Sequence, residues 1–197
     1  MLRRIAAGVF ASLILSAPAF GGDEEVVHTL HLQGGGGLTY NVSDFDAVPD
    51  GLISAGLFGT VRVMLQPEYL LSVGIETGFQ RVYAIEEENL STEFGPLTGE
   101  SVLNALPVMI VFSMPVIDNF DAYVGAGFCV LYSTVEFFGD KTVSNAYSPA
   151  FMAAGSYLYP ISDDLRLGGE LRYTYFDRFL DHNIGLQVLL SYRLTSW

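Results

Sequence analysis

A single cysteine in 197 residues permits no internal disulfide and no cysteine-built zinc site. Charge is scarce too: 16% of the residues are charged, against about a quarter in an average soluble domain. Basic residues are few, with nine Lys and Arg against 22 Asp and Glu. The net charge of −13 argues against a nucleic-acid backbone as partner. Long hydrophobic runs are missing after residue 20. The best, "VLNALPVMIVFSMPVI" at 102–117, is interrupted by Asn104, Pro107 and Pro115 and falls short of the ~20 apolar residues of a spanning helix. What is present is hydrophobicity in small portions. Half the chain is hydrophobic and 21 residues are glycine, which excludes a disordered acidic tail and is too apolar for a routine soluble enzyme.

The first 19 residues have the three parts of a secretory signal. Arg3 and Arg4 precede an apolar stretch from Ile5 to Leu15, and Ala17-Pro18-Ala19 offers small residues at a cleavage site. The apolar stretch is too short to cross a ~30 Å hydrocarbon core as a helix. Residues 20–25, with Asp23, Glu24 and Glu25, are a short periplasmic N-terminal segment, and 26–197 form one domain.

That domain alternates with period two, the signature of strands with one apolar face. Strands are expected near 26–40, 53–66, 69–83, 102–114, 120–133, 149–159, 164–175 and 183–194. In the last, Ile184, Leu186, Val188, Leu190, Tyr192 and Leu194 alternate with Gly185, Gln187, Leu189, Ser191 and Arg193. Connections at 41–52, 84–101, 134–148 and 176–182 are long or polar, whereas those near Pro67, at 115–119 and at 160–163 are short. Long loops at one end and tight turns at the other point to an all-β fold: an eight-stranded antiparallel up-and-down transmembrane β-barrel in the outer membrane, both termini periplasmic.

The apolar face ends in aromatics: Tyr69, Phe112 and Phe120 toward the short turns, and Tyr40, Tyr83, Tyr132 and Tyr175 toward the long loops. Two aromatic belts around an apolar band suit the two interfaces of a bilayer. The opposite face mixes Gly, Ala, Thr, Gln and charges, as a packed polar lumen would. A lipocalin-like carrier would have these faces reversed. Arg81 is the outward exception, near the end of its strand where a long side chain can reach headgroups. Asp44, Asp46, Asp50, Glu86, Glu87 and Glu88 give the loops an acidic surface.

"FDAYVGAGFCVLYS" (120–133), "AGSYLYPISDDLRLGGELRYTYFD" (154–177) and "GLQVLLSYRL" (185–194) resemble the small outer-membrane β-barrel family that includes the OmpA membrane domain and OmpX. The resemblance implies insertion by the outer-membrane assembly machinery, which reads the last strand and its terminal aromatic. Leu190, Tyr192 and Leu194 supply that strand here, with Trp197 out of phase. Either Leu194 ends the signal or a bulge brings Trp197 round. The resemblance also implies an arginine–glutamate network in the lumen. Arg62 and Glu76 lie on neighbouring inward faces, as do Glu170 and Arg193, with Arg166 and Arg172 close by. Buried charges persist when paired, so the network is read as a plug that fixes register.

Little else points to chemistry, and no cofactor or metal is expected. His28 and His31 are three apart on a strand and face opposite ways, His31 inward and His28 at the periplasmic rim. His182 follows Asp181 in the last long loop, without a serine at short spacing. Gly34 to Gly37 lack the Lys-Ser/Thr of a phosphate loop and suit close backbone approach. Val48 and Pro49 break the calcium-loop pattern of Asp44, Asp46 and Asp50. Cys129 is a small core residue. The expected function is non-catalytic, in envelope structure or surface interaction. The expected protein is a monomer among outer-membrane lipids and lipopolysaccharide, with an unnamed surface ligand or host partner. The alternatives are a narrow conduit, a lipid A-modifying enzyme using His182 or His31, and a periplasmic lipocalin-like carrier.

Overall fold

The computed structural model describes residues 27–42, 52–67, 71–92, 95–137, 140–177 and 181–197. The expected signal, 1–19, and the segment 20–25 lie outside them, as do Tyr69, Asp44, Asp46 and Asp50. The described chain is almost entirely strand: β1 (His28–Asn41), β2 (Leu52–Ile53), β3 (Ala55–Pro67), β4 (Ser72–Thr92), β5 (Gly95–Ile117), β6 (Phe120–Phe137), β7 (Asp140–Pro160), β8 (Leu165–Phe176) and β9 (Asp181–Ser196). β2 is a two-residue piece paired with β4. The other eight pair antiparallel with their chain neighbours, and β1 pairs with β9 to close the ring. A ring has no free edge, so every backbone polar group of the wall finds a partner without water.

Alternation decides which way each strand faces. On β3, Gly56, Phe58, Thr60, Arg62 and Met64 are buried while Leu57 is 68% exposed; on β9, Leu186 is 64% exposed beside buried Gln187. Hydrocarbon displayed this continuously suits lipid and not water. The carrier alternative is thereby overturned, since its apolar face would have to line the interior.

The two ends differ as the sequence indicates, with one correction. At the short-turn end, Asp118 and Asn119 join β5 to β6, and Asn119 takes φ 64°, a left-handed conformation that Asn tolerates. At the other end, the stretches expected as loops at 84–101 and 134–148 are mostly strand. β4 and β5 stay paired out to Thr92 and Gly95, and β6 and β7 out to Phe137 and Asp140. A hairpin needs an apolar face only where it meets lipid or core, so polar sequence does not end it.

Two bulges re-aim side chains. Arg81 faces Asn104 and Tyr83 faces Leu103, so Val82 is an extra residue in β4. Tyr83, expected in the outer aromatic belt, therefore packs against the inward hydrophobic cluster that includes Leu103. On β9, Leu30 faces Thr195 and His31 faces Arg193, leaving Leu194 as the extra residue. His28 and Trp197 then exchange two backbone hydrogen bonds of 2.8 and 3.0 Å. Directly opposed residues share a face, so Trp197 comes round to the outward side with His28, their rings 6.1 Å apart. The bulge considered for the chain end is thus present.

The glycine run is a wall device. A Cβ on inward Gly37 would stand 2.0 Å from the carbonyl oxygen of Leu186, whereas outward Gly34 and Gly36 have room. Inside, the lumen is not uniformly polar as expected. β5, β6 and β7 contribute most of a buried cluster with Leu103, Ala105, Met109, Val111, Cys129, Leu131 and Met152. Polar groups occupy the opposite wall.

Candidate functional site

The polar wall centres on four charged side chains held by three strands. Arg62 comes from β3, Glu76 from β4, and Glu170 and Arg172 from β8, two residues apart and thus on one face. Arg62 and Glu76 are direct partners in the β3–β4 register. The charges close a ring of four salt bridges: Arg62–Glu76 at 2.6 Å, Arg62–Glu170 at 3.0 Å, Arg172–Glu76 at 2.6 Å and Arg172–Glu170 at 2.8 Å. None of the four side chains is more than 4% exposed.

Each carboxylate oxygen accepts at least one hydrogen bond. Arg62 Nε donates to Glu76 Oε2, Arg172 Nη1 to Glu76 Oε1, Arg62 Nη2 to Glu170 Oε2 and Arg172 Nε to Glu170 Oε1. Gln187 Nε2 adds a 2.7 Å bond to Glu170 Oε1, and Arg62 Nη1 donates to Gln33 Oε1 at 3.0 Å. The Arg62 guanidinium lies 4.3 Å from the Tyr123 ring centroid, and Phe58 underlies Arg172 at 5.8 Å. Ions this buried are held only by such complete pairing. Chemically the ring is saturated: its donors and acceptors are spent on one another, and it fills the section of the lumen that it occupies.

Toward the short turns lies a vestibule of about 570 Å³, bordered by Thr29, His31, Gln66, Arg166, Arg193 and Asp164. Deeper in it narrows to about 20 Å³ among Ser72, Ser113, Asp121 and Tyr123. The expected place of Arg193 in the lumen network is corrected here, although it does lie on an inward face neighbouring that of Glu170. Arg193 instead reaches Asp164 in the β7–β8 turn at 2.7 Å, with the two side chains 37% and 51% exposed. Its strand runs on toward the rim, several residues past Gln187, which is the register partner of Glu170. Arg166 lines the vestibule away from the buried ring.

The family model "Outer membrane protein beta-barrel domain" matches residues 7–193. The chain belongs to that family. The curated proteins contain no match. Among solved structures, this barrel is similar to a major outer membrane protein from Thermus thermophilus, with TM-score 0.53, 12% identity and 85% and 99% of the two chains covered. It is also similar to Ail, the attachment invasion locus protein of Yersinia pestis, with TM-score 0.52, 10% identity and 88% and 100% covered. At such identities the likeness is one of fold; the family match is what places the chain in the outer membrane.

On this outer-membrane barrel, Tyr40, Phe112 and Tyr132 point outward and are exposed. Tyr175 stacks against Phe151 on the outer face at 6.4 Å, and the Phe120 ring covers Gly155, where a Cβ would stand 2.9 Å from Cζ. Leu190, Tyr192 and Leu194 share the outward side of β9. The backbones of Glu86, Glu87 and Glu88 run within β4, while their side chains lie outside the described residues. His31 is buried in the lumen, with Nε2 3.2 Å from Thr29 Oγ1. His182 belongs to β9 and not to a loop. It contacts the Tyr173 hydroxyl through Nδ1, with the Tyr175 ring 5.0 Å away. Sequence reasoning missed Gln33, Thr60 and Gln187 as supports of the charged ring. Their inward parity was the available signal.

Proposed function

We propose that this barrel is a closed, non-catalytic surface protein, acting through the β4–β5 and β6–β7 hairpins while the lumen stays shut. In this reading the short turns and both chain ends are periplasmic and the long hairpins extracellular, the usual arrangement of such barrels. The observation that carries it is the buried ring of Arg62, Glu76, Glu170 and Arg172. Opening a conduit there would expose or separate four ions that now satisfy one another, at a cost of several kcal/mol per unpaired ion. The His182, Tyr173 and Tyr175 contacts on the outer face serve the bilayer interface, where amphipathic rings settle.

The test is electrical. Purified, heat-modifiable protein inserted in planar bilayers is expected to give no sustained single-channel steps. Reproducible open steps that survive repurification would overturn the closed-lumen reading and favour a conduit.

A further inference from the structure

The chain is acidic and its cations are few. After residue 20 there are seven, and only one is lysine, Lys141. Arg62 and Arg172 are spent in the buried ring, Arg166 and Arg193 border the vestibule, and Arg178 lies outside the described residues. The remaining two, Arg81 on β4 and Lys141 on β7, are far apart in sequence and separated by two strands in the sheet. They nevertheless line one cleft of about 230 Å³ at the long-hairpin end, with Val102, Asn104, Thr134 and Glu136.

The fold builds this cleft by register. The Val82 bulge leaves Arg81 opposite outward Asn104, Asn104 faces Tyr132, Val102 faces Thr134, and Glu136 faces Lys141. One outward step back along β4 from Arg81 is Phe79, 51% exposed. The cleft thus begins where the apolar band ends, at headgroup height. It also contains an unanswered acceptor: Asn104 Oδ1 is buried and receives no hydrogen bond. A buried acceptor left open is costly, and a ligand donor relieves it.

We propose that this cleft binds the phosphorylated sugar headgroup of an outer-leaflet glycolipid. Arg81 and Lys141 face the phosphate, a sugar hydroxyl or amide N–H donates to Asn104 Oδ1, and Glu136 accepts from a second hydroxyl. An ionised phosphodiester alone would leave Asn104 unanswered, because it carries no O–H to donate. Arg166 and Arg193 also lie together, but at the short-turn end, and Arg193 is already bridged to Asp164. The inference rests on the long hairpins being extracellular.

The experiment uses the full folded protein in detergent, with bisphosphorylated lipid A as probe and native mass spectrometry as readout. Wild type is expected to retain lipid A. The double substitution Arg81→Gln with Lys141→Gln should weaken it by roughly tenfold or more, while keeping its heat-dependent gel shift. Asn104→Leu should lower lipid A binding and leave unchanged the weaker binding of phosphatidylmethanol, an anionic phosphodiester whose headgroup has no donor. Inorganic phosphate at equal concentration should not displace lipid A. Undiminished lipid A binding by the double variant would overturn the site. Phosphatidylmethanol binding as tightly as lipid A, or displacement of lipid A by inorganic phosphate at equal concentration, would overturn the sugar assignment. Orientation is tested separately: Thr142→Cys should react with an impermeant maleimide on intact cells, against wild type as blank. A folded but unlabelled variant would overturn the orientation, whatever the detergent result.

Discussion

Strands β8, β9, β1, β3 and β4 line their side of the lumen with hydrogen-bonding groups, whereas β5, β6 and β7 line theirs mainly with hydrocarbon. The polar wall specifies register. A one-residue slip of β3 would turn Arg62 toward lipid, at about 2–4 kcal/mol for the exposed ion alone, and would leave Glu76 unpaired. The apolar wall fills volume and is nearly indifferent to such a slip. On β5, Met109 and Val111 point inward and Ile110 and Phe112 outward, so exchanging the faces loses little burial. What pins β5 is its surroundings: the tight Asp118–Asn119 turn, and Glu76, whose register partner across the β4–β5 ladder is Met109. One side of the barrel therefore carries positional information, and the other borrows it.

The sharpest way to break this contrast is to unpair one ion. Arg62→Met should destabilise the barrel by about 4 kcal/mol, read as a lower urea midpoint for loss of the compact gel form in lipid vesicles. Adding Glu76→Met, which leaves Arg172 and Glu170 as a neutral pair, should recover part of that loss. If the single change costs under about 1 kcal/mol, ion pairing does not organise the polar wall. On the apolar wall, Leu131→Ala should cost about 3 kcal/mol by leaving a cavity. The volume-conserving Leu131→Met should cost under about 1.5 kcal/mol in the same assay. Equal losses from both would mean that this wall is as shape-specific as the polar one. The smallest effect belongs to Asp164→Asn at the vestibule. That exposed pair should contribute at most about 1 kcal/mol, and less in high salt; a larger shift would extend the buried network to the rim.

The same contrast governs what the sequence disclosed. β3, β8 and β9 were legible residue by residue, because each has one charged or amide face against one apolar face. β5 was not, since a segment apolar on both faces carries no parity. Arg62 with Glu76 could be inferred from adjacent inward positions, and Glu170 with Arg172 shares a face by spacing. The cross-lumen bond from Arg62 to Glu170 could not, because the strands that supply them are not neighbours in the sheet. Arg193 stands outside the buried network for a related reason: sharing a face says nothing about height along the axis. Tyr83 and Trp197 were misplaced or left open because a bulge inverts parity without marking the residues themselves. Beyond the apolar band, alternation no longer reports on strand, so the long-hairpin halves of β4 to β7 are not legible in the sequence.

The reciprocal bonds between His28 and Trp197 lie on the seam that joins the first strand to the last. Loss of β9 would not give a slightly smaller ring. It would give an open ribbon with two unsatisfied margins in hydrocarbon, one of them β1. Closure is therefore all-or-none with respect to β9: until that strand is in place the wall has no inside, and with it the barrel acquires both an inside and a sealed perimeter at once.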